Sequence, residues 1–211
     1  NSNQILWRGI ANIELEEKFR NSYHDFVGNN LRFAIIDTGN NDYSWYIVKQ
    51  NDNTTNEPEN YSREQLIRLF QNYHPVVKEI IQKSQNVYFS VLEDIAPKHR
   101  KKLSWYNGKA ILIGDAIHPT TPNMANGGCL AIEDAYLVAK MLENDGVDFQ
   151  KFQDIRTKKV NAVVRQSWLF GQLLHQKNSM MDKIIKLGLA MTPKFVFDKI
   201  YSTVLTTKTR D

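Results

Sequence analysis

Residues 109–135 read Lys109-Ala110-Ile111-Leu112-Ile113-Gly114-Asp115-Ala116-Ile117-His118-Pro119-Thr120-Thr121-Pro122-Asn123-Met124-Ala125-Asn126-Gly127-Gly128-Cys129-Leu130-Ala131-Ile132-Glu133-Asp134-Ala135. The opening apolar run does not alternate with polar residues, which predicts a short strand buried on both faces, as in parallel sheets. Gly114 and Asp115 then put a carboxylate at the strand's carboxyl edge, where ligands bind in open α/β sheets. A proline-bounded loop follows, and Gly127-Gly128 opens a helix. Glycines let backbone approach a ligand closely, and a helix N-terminus presents unpaired N–H groups with a partial positive charge. The carboxylate suits ligand hydroxyls and the helix end suits a ring that becomes anionic. Together they fit a ligand with a polyol chain and an electron-accepting ring.

Upstream, residues 5–50 read as strands, with Leu31–Asp37 and Tyr43–Val48 forming a hairpin around Thr38-Gly39-Asn40-Asn41-Asp42. Asn51–Asn60 is polar, contains Pro58 and is expected to be an exposed loop. Ser62 and Gln65 have the spacing of a capping box ahead of Leu66, Ile67, Leu69 and Phe70, and Pro75 suits the first turn of a second helix running to about Lys83. Asn86–Ile95 reads as a further strand and Pro97–Lys102 as a basic loop. Downstream, the helix from Gly127 runs through Leu142. Phe149, Phe152, Ile155, Val163, Phe170 and Leu174 then mark a long amphipathic helix, and Pro193 opens a last one bearing Phe195, Val196, Ile200 and Val204.

Hydrophobic content of 42% and a mean hydropathy of −0.48 exclude a disordered chain. No run of about 18 apolar residues suggests a transmembrane helix. No leader is visible, and the single cysteine, Cys129, cannot form an internal disulfide. The expected location is cytoplasmic. Residues 151–211 hold 12 Lys and Arg against 4 Asp and Glu, which leaves 15 against 19 for residues 1–150. The basic residues alternate with apolar ones at helical spacing, so they read as a solvated helix face, without nucleic-acid or membrane contact.

The 109–135 stretch resembles the second FAD motif of the aromatic-ring hydroxylases, the single-component flavoprotein monooxygenases related to para-hydroxybenzoate hydroxylase. That motif runs Gly-Asp-Ala-x-His, three residues, Pro, then a Gly-rich turn opening a helix with Glu-Asp-Ala. The Gly-Gly-Cys form is similar to the urate-hydroxylating, zeaxanthin-epoxidising and salicylate-type branches. Trp7-Arg8-Gly9-Ile10 resembles the strand entering the family's substrate domain, and Arg32-Phe33 through Trp45-Tyr46 its sheet hairpin. The resemblance implies FAD as cofactor and NAD(P)H as cosubstrate, with Gly114, Asp115, Pro122, Asn126, Gly127, Gly128 and Cys129 at the flavin. Asp115 would bind the ribityl hydroxyls. Phe33, Ile35, Trp45 and Ile47, with Tyr46, would cover the ring's substrate face, where an aromatic or unsaturated small molecule is oxidised.

Two departures stand out. Ala125 and Asn126 occupy positions where the family usually has Gly and Gln, and alanine disfavours a positive φ at 125. No Gly-x-Gly occurs anywhere, so the first FAD fingerprint, which holds the pyrophosphate, is absent from these residues. The chain is therefore expected to be the C-terminal part of a longer one, lacking the N-terminal dinucleotide-binding half.

The remaining polar residues read structurally. His118 is expected to hydrogen-bond the loop, Glu133 and Asp134 to brace their helix, and Cys129 to pack as a small side chain; Arg8 could pair with an acid, substrate or flavin. His24, His74, His99 and His175 lack metal-ligand spacing, so no metal site is predicted, and no catalytic residue is assigned. The expected fold is α+β: a substrate-binding antiparallel sheet over 1–106, one buried strand with the second FAD motif over 107–145, and a helical region over 146–211. The rival expectation is a non-catalytic module of the same fold that docks a partner or membrane surface.

Overall fold

The computed structural model describes residues 3–174 apart from 29, 51–60, 96, 101 and 144–145, together with 184, 187–188, 191–193 and 195–196. The expected loop Asn51–Asn60 and most of the expected last helix lie outside these residues. The chain divides into two compact units, one built on Asn1–Leu92 and the other on Glu93–Leu173. The break thus precedes the boundary expected at 106, and residues 149–173 of the region expected over 146–211 belong to the second unit.

The first unit is an antiparallel five-stranded sheet. Its strands are β1 (Gln4–Asn12), β2 (Tyr23–Gly28), β3 (Leu31–Gly39), β4 (Asp42–Gln50) and β5 (Ser84–Leu92), in the order β2-β3-β4-β1-β5. Helices α1 (Arg63–Leu69) and α2 (Pro75–Lys83) lie between β4 and β5 in sequence. The hairpin and both helices follow the sequence reading. Ser62 N donates to Gln65 Oε1 at 2.7 Å and Gln65 N to Ser62 Oγ at 3.3 Å, the reciprocal capping box. Successive strand side chains point to opposite faces. Accordingly Ile5, Trp7, Phe33, Ile35, Tyr43, Trp45 and Ile47 share a core with Leu66, Phe70, Val77, Ile80 and Ile81 of the helical segment. Gly9 sits where chains meet closely, since a Cβ there would stand 2.6 Å from the Asn86 carbonyl and 2.8 Å from Trp45 Cζ2.

This packing corrects one expectation. Phe33, Ile35, Trp45 and Ile47 are each 0% exposed, sealed against helices rather than open to a substrate. A period-2 apolar row followed by two amphipathic helices buries against those helices, because both surfaces leave water together.

The second unit contains α3 (Pro97–Arg100), β6 (Tyr106–Asn107), β7 (Ala110–Ile111), α4 (Gly127–Glu143) and α5 (Phe149–Leu174). The basic loop after β5 is thus partly helical. The strand expected to be buried on both faces is instead a two-residue ladder against β6, with Leu112 43% and Ile113 37% exposed. A strand is buried on both faces only when layers cover it, and the described residues supply none here. Helix α5 buries Phe152, Val160, Val163 and Val164 against Trp105, Ile117, Met124 and Leu130. Ile155, expected on that apolar face, is exposed.

Candidate functional site

The loop between β7 and α4 carries most of the expected cofactor residues. Gly114 has φ +57°, and a Cβ there would lie 3.1 Å from Ala131 Cβ on α4, so both conformation and space call for glycine. It opens a single 3₁₀ turn, Gly114–Ala116, whose exit is held by the Ile117 and His118 amides donating to the Gly114 carbonyl at 3.1 and 3.0 Å. Asp115 rides on this turn. Its carboxylate is exposed and makes no hydrogen bond or ion pair among the described residues. A Cβ on Gly127 would lie 4.0 Å from Asp115 Oδ1 and 3.3 Å from Thr120 Cγ2. The carboxylate therefore stands beside the N-terminus of α4.

Gly128 and Cys129 are exposed on the first turn of that helix, and a Cβ on Gly128 would meet nothing within 4 Å. Pro122 is half-buried, while Asn126 is buried and its carbonyl accepts the Leu130 amide at 3.0 Å. The structure thus brings Gly114, Asp115 and Gly127 together, with Gly128 and Cys129 open beside them. Ala125 adopts the left-handed conformation (φ +51°, ψ 30°) despite its Cβ. The backbone shape expected of glycine is kept, at a cost in strain of about 1–2 kcal/mol.

Beneath the loop runs a buried polar network. Gly114 N donates to Asp134 Oδ2 at 2.8 Å, and His118 Nε2 meets the same oxygen at 2.6 Å. Arg156 Nε donates to Asp134 Oδ1 at 2.5 Å, Nη1 to Glu133 Oε2 at 2.7 Å, and Nη2 to the Leu130 carbonyl at 3.1 Å. Lys159 Nζ completes the Glu133 carboxylate at 2.5 Å. Burial pushes the Asp134 carboxyl up, but the hydrogen bonds from His118, Gly114 and Arg156 outweigh it and hold it below the ordinary range. A second tether joins the loop to α5: Asn123 Nδ2 donates to Thr121 Oγ1 at 3.0 Å and to the Ser167 carbonyl at 3.2 Å, and Ser167 Oγ donates to the Thr121 carbonyl at 2.7 Å.

His118 thus bonds Asp134 on α4 rather than the loop expected to receive it, Glu133 and Asp134 join α4 to α5 rather than bracing their own helix alone, and two cations of the basic segment are neutralised inside the fold. Arg156 and Ser167 were not singled out by the motif. A signal existed: both fall on the buried stripe of α5, Arg156 four residues from Phe152 and from Val160. A charge in apolar phase marks a buried pair.

In the first unit, the sheet face away from the helices carries Arg32, whose Nε donates to both Asp25 oxygens at 2.9 and 2.7 Å and whose Nη2 donates to Tyr23 Oη at 2.6 Å. Tyr23 and Tyr46 hydroxyls are 3.0 Å apart. Arg8 lies between Tyr46 and Tyr88 in register, is exposed and has no ion pair among the described residues. A cavity of about 550 Å³ is lined by Arg8, Gly9, Ile10, Ser44, Asn86 and Tyr88 among others.

Residues 10–145 match the model of a family described as FAD binding domain. The chain belongs to that family. It is 28% identical over 185 residues to aurachin C monooxygenase/isomerase of Stigmatella aurantiaca, covering 84% of this chain and 46% of the relative. It is 28% identical over 177 residues to chloroplastic zeaxanthin epoxidase of Oryza sativa subsp. japonica, covering 81% of this chain and 27% of that protein. The chain therefore spans less than half the length of these relatives. Its fold is similar to that of HpxO from Klebsiella pneumoniae, crystallised with FAD and uric acid, at a TM-score of 0.79 and 21% identity over 97% of this chain and 53% of the other. These relatives fall within the FAD-dependent aromatic hydroxylases. The site fits the family's cofactor: a free carboxylate acceptor stands beside a glycine-opened helix end with space above it. Among the described residues no helix is long and apolar enough to cross a membrane, and no group of His, Cys, Asp or Glu could hold a metal ion.

Proposed function

We propose that residues 1–211 form part of an FAD-dependent monooxygenase that uses NAD(P)H and O₂ to hydroxylate or epoxidise an aromatic or unsaturated small molecule in the cytoplasm. The observation that carries this reading is the unpartnered Asp115 carboxylate beside Gly127 at the start of α4. Bound FAD would take up hydride equivalents and activate O₂; the chain's residues bind, orient and exclude water.

Asp115 would accept hydroxyl hydrogen bonds from the ribityl chain. The N–H groups of Gly127, Gly128 and Cys129, at the positive end of a 17-residue helix, would stabilise electron density gained by the ring. Pro122 and Asn126 would shape the loop that holds it. Because Phe33, Ile35, Trp45 and Ile47 are buried, the substrate reading passes to the opposite sheet face, with Arg8, Tyr46 and Tyr88.

A dinucleotide-binding half elsewhere in the polypeptide would hold the pyrophosphate. The exposed apolar side chains of Leu112, Ile113 and Ile132 support this, since such a layer would cover them. The docking-module alternative gains no support, as Arg156 and Lys159 of the basic segment are already paired with acids.

The test is isotopic. A polypeptide containing this chain, supplied with FAD, NAD(P)H and ¹⁸O₂, should place one labelled oxygen atom in an aromatic or unsaturated product. Label entering from H₂¹⁸O alone would refute the monooxygenase reading.

A further inference from the structure

We infer that Asp134, oriented by Arg156, is the positioning residue of the flavin loop, so that cofactor affinity is governed from α5, a helix with no expected place at the cofactor. The inference rests on the reading of Asp115 as the ribityl acceptor. Asp115 has no side-chain partner among the described residues, so its direction depends on the backbone on either side. That backbone is pinned at two points by one atom. Asp134 Oδ2 takes the Gly114 N–H at 2.8 Å and His118 Nε2 at 2.6 Å, which brackets the turn carrying Asp115.

The carboxylate is itself held. Its other oxygen receives Arg156 Nε, and the rest of that guanidinium is committed to Glu133 and the Leu130 carbonyl, both on α4. Asp134 is 0% and Arg156 3% exposed, so neither can turn to water instead. A fork fixed at three points leaves Asp134 one orientation. Asparagine at 134 keeps the shape but offers one acceptor and one donor to three donors, so at least one contact must become a clash.

The experiment measures FAD dissociation constants on the polypeptide containing this chain, by flavin fluorescence, with unfolding midpoints measured alongside. The variants are Asp134→Asn, His118→Asn, Arg156→Lys, Asp115→Ala and Val77→Ala. The last trims the core of the sheet unit, which contains no residue of the loop. Asp134→Asn and Arg156→Lys should weaken FAD by about tenfold or more. Val77→Ala should lower the midpoint while leaving affinity unchanged. Adding His118→Asn to Asp134→Asn should cost less in affinity than the sum of the single changes. If Asp134→Asn does not fold, Arg156→Lys answers alone, because it keeps the charge and removes only the fork. Unchanged affinity in the variants at 134 and 156, with Asp115→Ala weakened, overturns the inference and leaves the Asp115 reading standing. Unchanged affinity in Asp115→Ala removes the reading on which the inference rests.

Discussion

Replacing Ala125 with glycine should stabilise the chain, although glycine usually destabilises. Ala125 sits at φ +51°, ψ 30°, in the left-handed region at the exit of the turn Pro122–Met124. An L-residue with a Cβ pays about 1–2 kcal/mol for that conformation, and glycine does not. Against this, glycine loses more freedom on folding, by about 0.4–1 kcal/mol relative to alanine. The Ala125 methyl is exposed, so its removal forfeits no core packing. The difference favours glycine by about 0.5–1 kcal/mol, which corresponds to a rise of roughly 1–4 °C in unfolding midpoint for a chain of this size. Thermal unfolding by circular dichroism, with both proteins in the same buffer, reads this directly. A midpoint that falls would refute the reasoning, because it would mean that the backbone at 125 leaves the left-handed region in solution.

Gly9→Ala should destabilise the sheet unit by about 1–3 kcal/mol, since its Cβ would meet the Asn86 backbone oxygen and the Trp45 ring, and urea unfolding should show it as a lower midpoint at constant slope. The carboxyl of Asp134 is held below the ordinary aspartate range, so its contribution to stability is present above about pH 4 and is lost as pH falls through the depressed value. Asp134→Asn should therefore flatten the acid limb of a stability–pH profile, and an unchanged limb would contradict this. Residues 1–211 by themselves, which contain no Gly-x-Gly, should retain little FAD through gel filtration; a yellow, stoichiometric complex would contradict that expectation.

Local signals carried well from sequence to structure. The capping box at Ser62, the first-turn Pro75, the hairpin around Gly39 and the helix start at Gly127 each depend on a few adjacent residues, so spacing alone specifies them. What spacing does not specify is which partner covers a face. Phe33, Ile35, Trp45 and Ile47 fall on one side of the sheet by their period, but whether a ligand or a helix pair meets them depends on α1 and α2, which follow in sequence. Likewise Ala110–Ile113 has the composition of a buried strand, yet burial needs covering layers that the described residues do not contribute. In the loop between β7 and α4 and on α4 itself, the motif marked exposed residues, Asp115 and Gly128, together with buried ones, Gly114, His118, Asn126 and Asp134. Arg156 lies 22 residues from Asp134 and only the fold joins them.

The central claim is that Asp115 beside the start of α4 is the flavin's acceptor. The most direct test is a titration of FAD into the polypeptide containing this chain, wild type against Asp115→Ala, with folding of both verified by circular dichroism. A charge-assisted hydrogen bond is worth about 1.5–3 kcal/mol, so the variant should bind FAD about 10- to 150-fold more weakly. A folded Asp115→Ala protein with the wild-type dissociation constant would contradict the account.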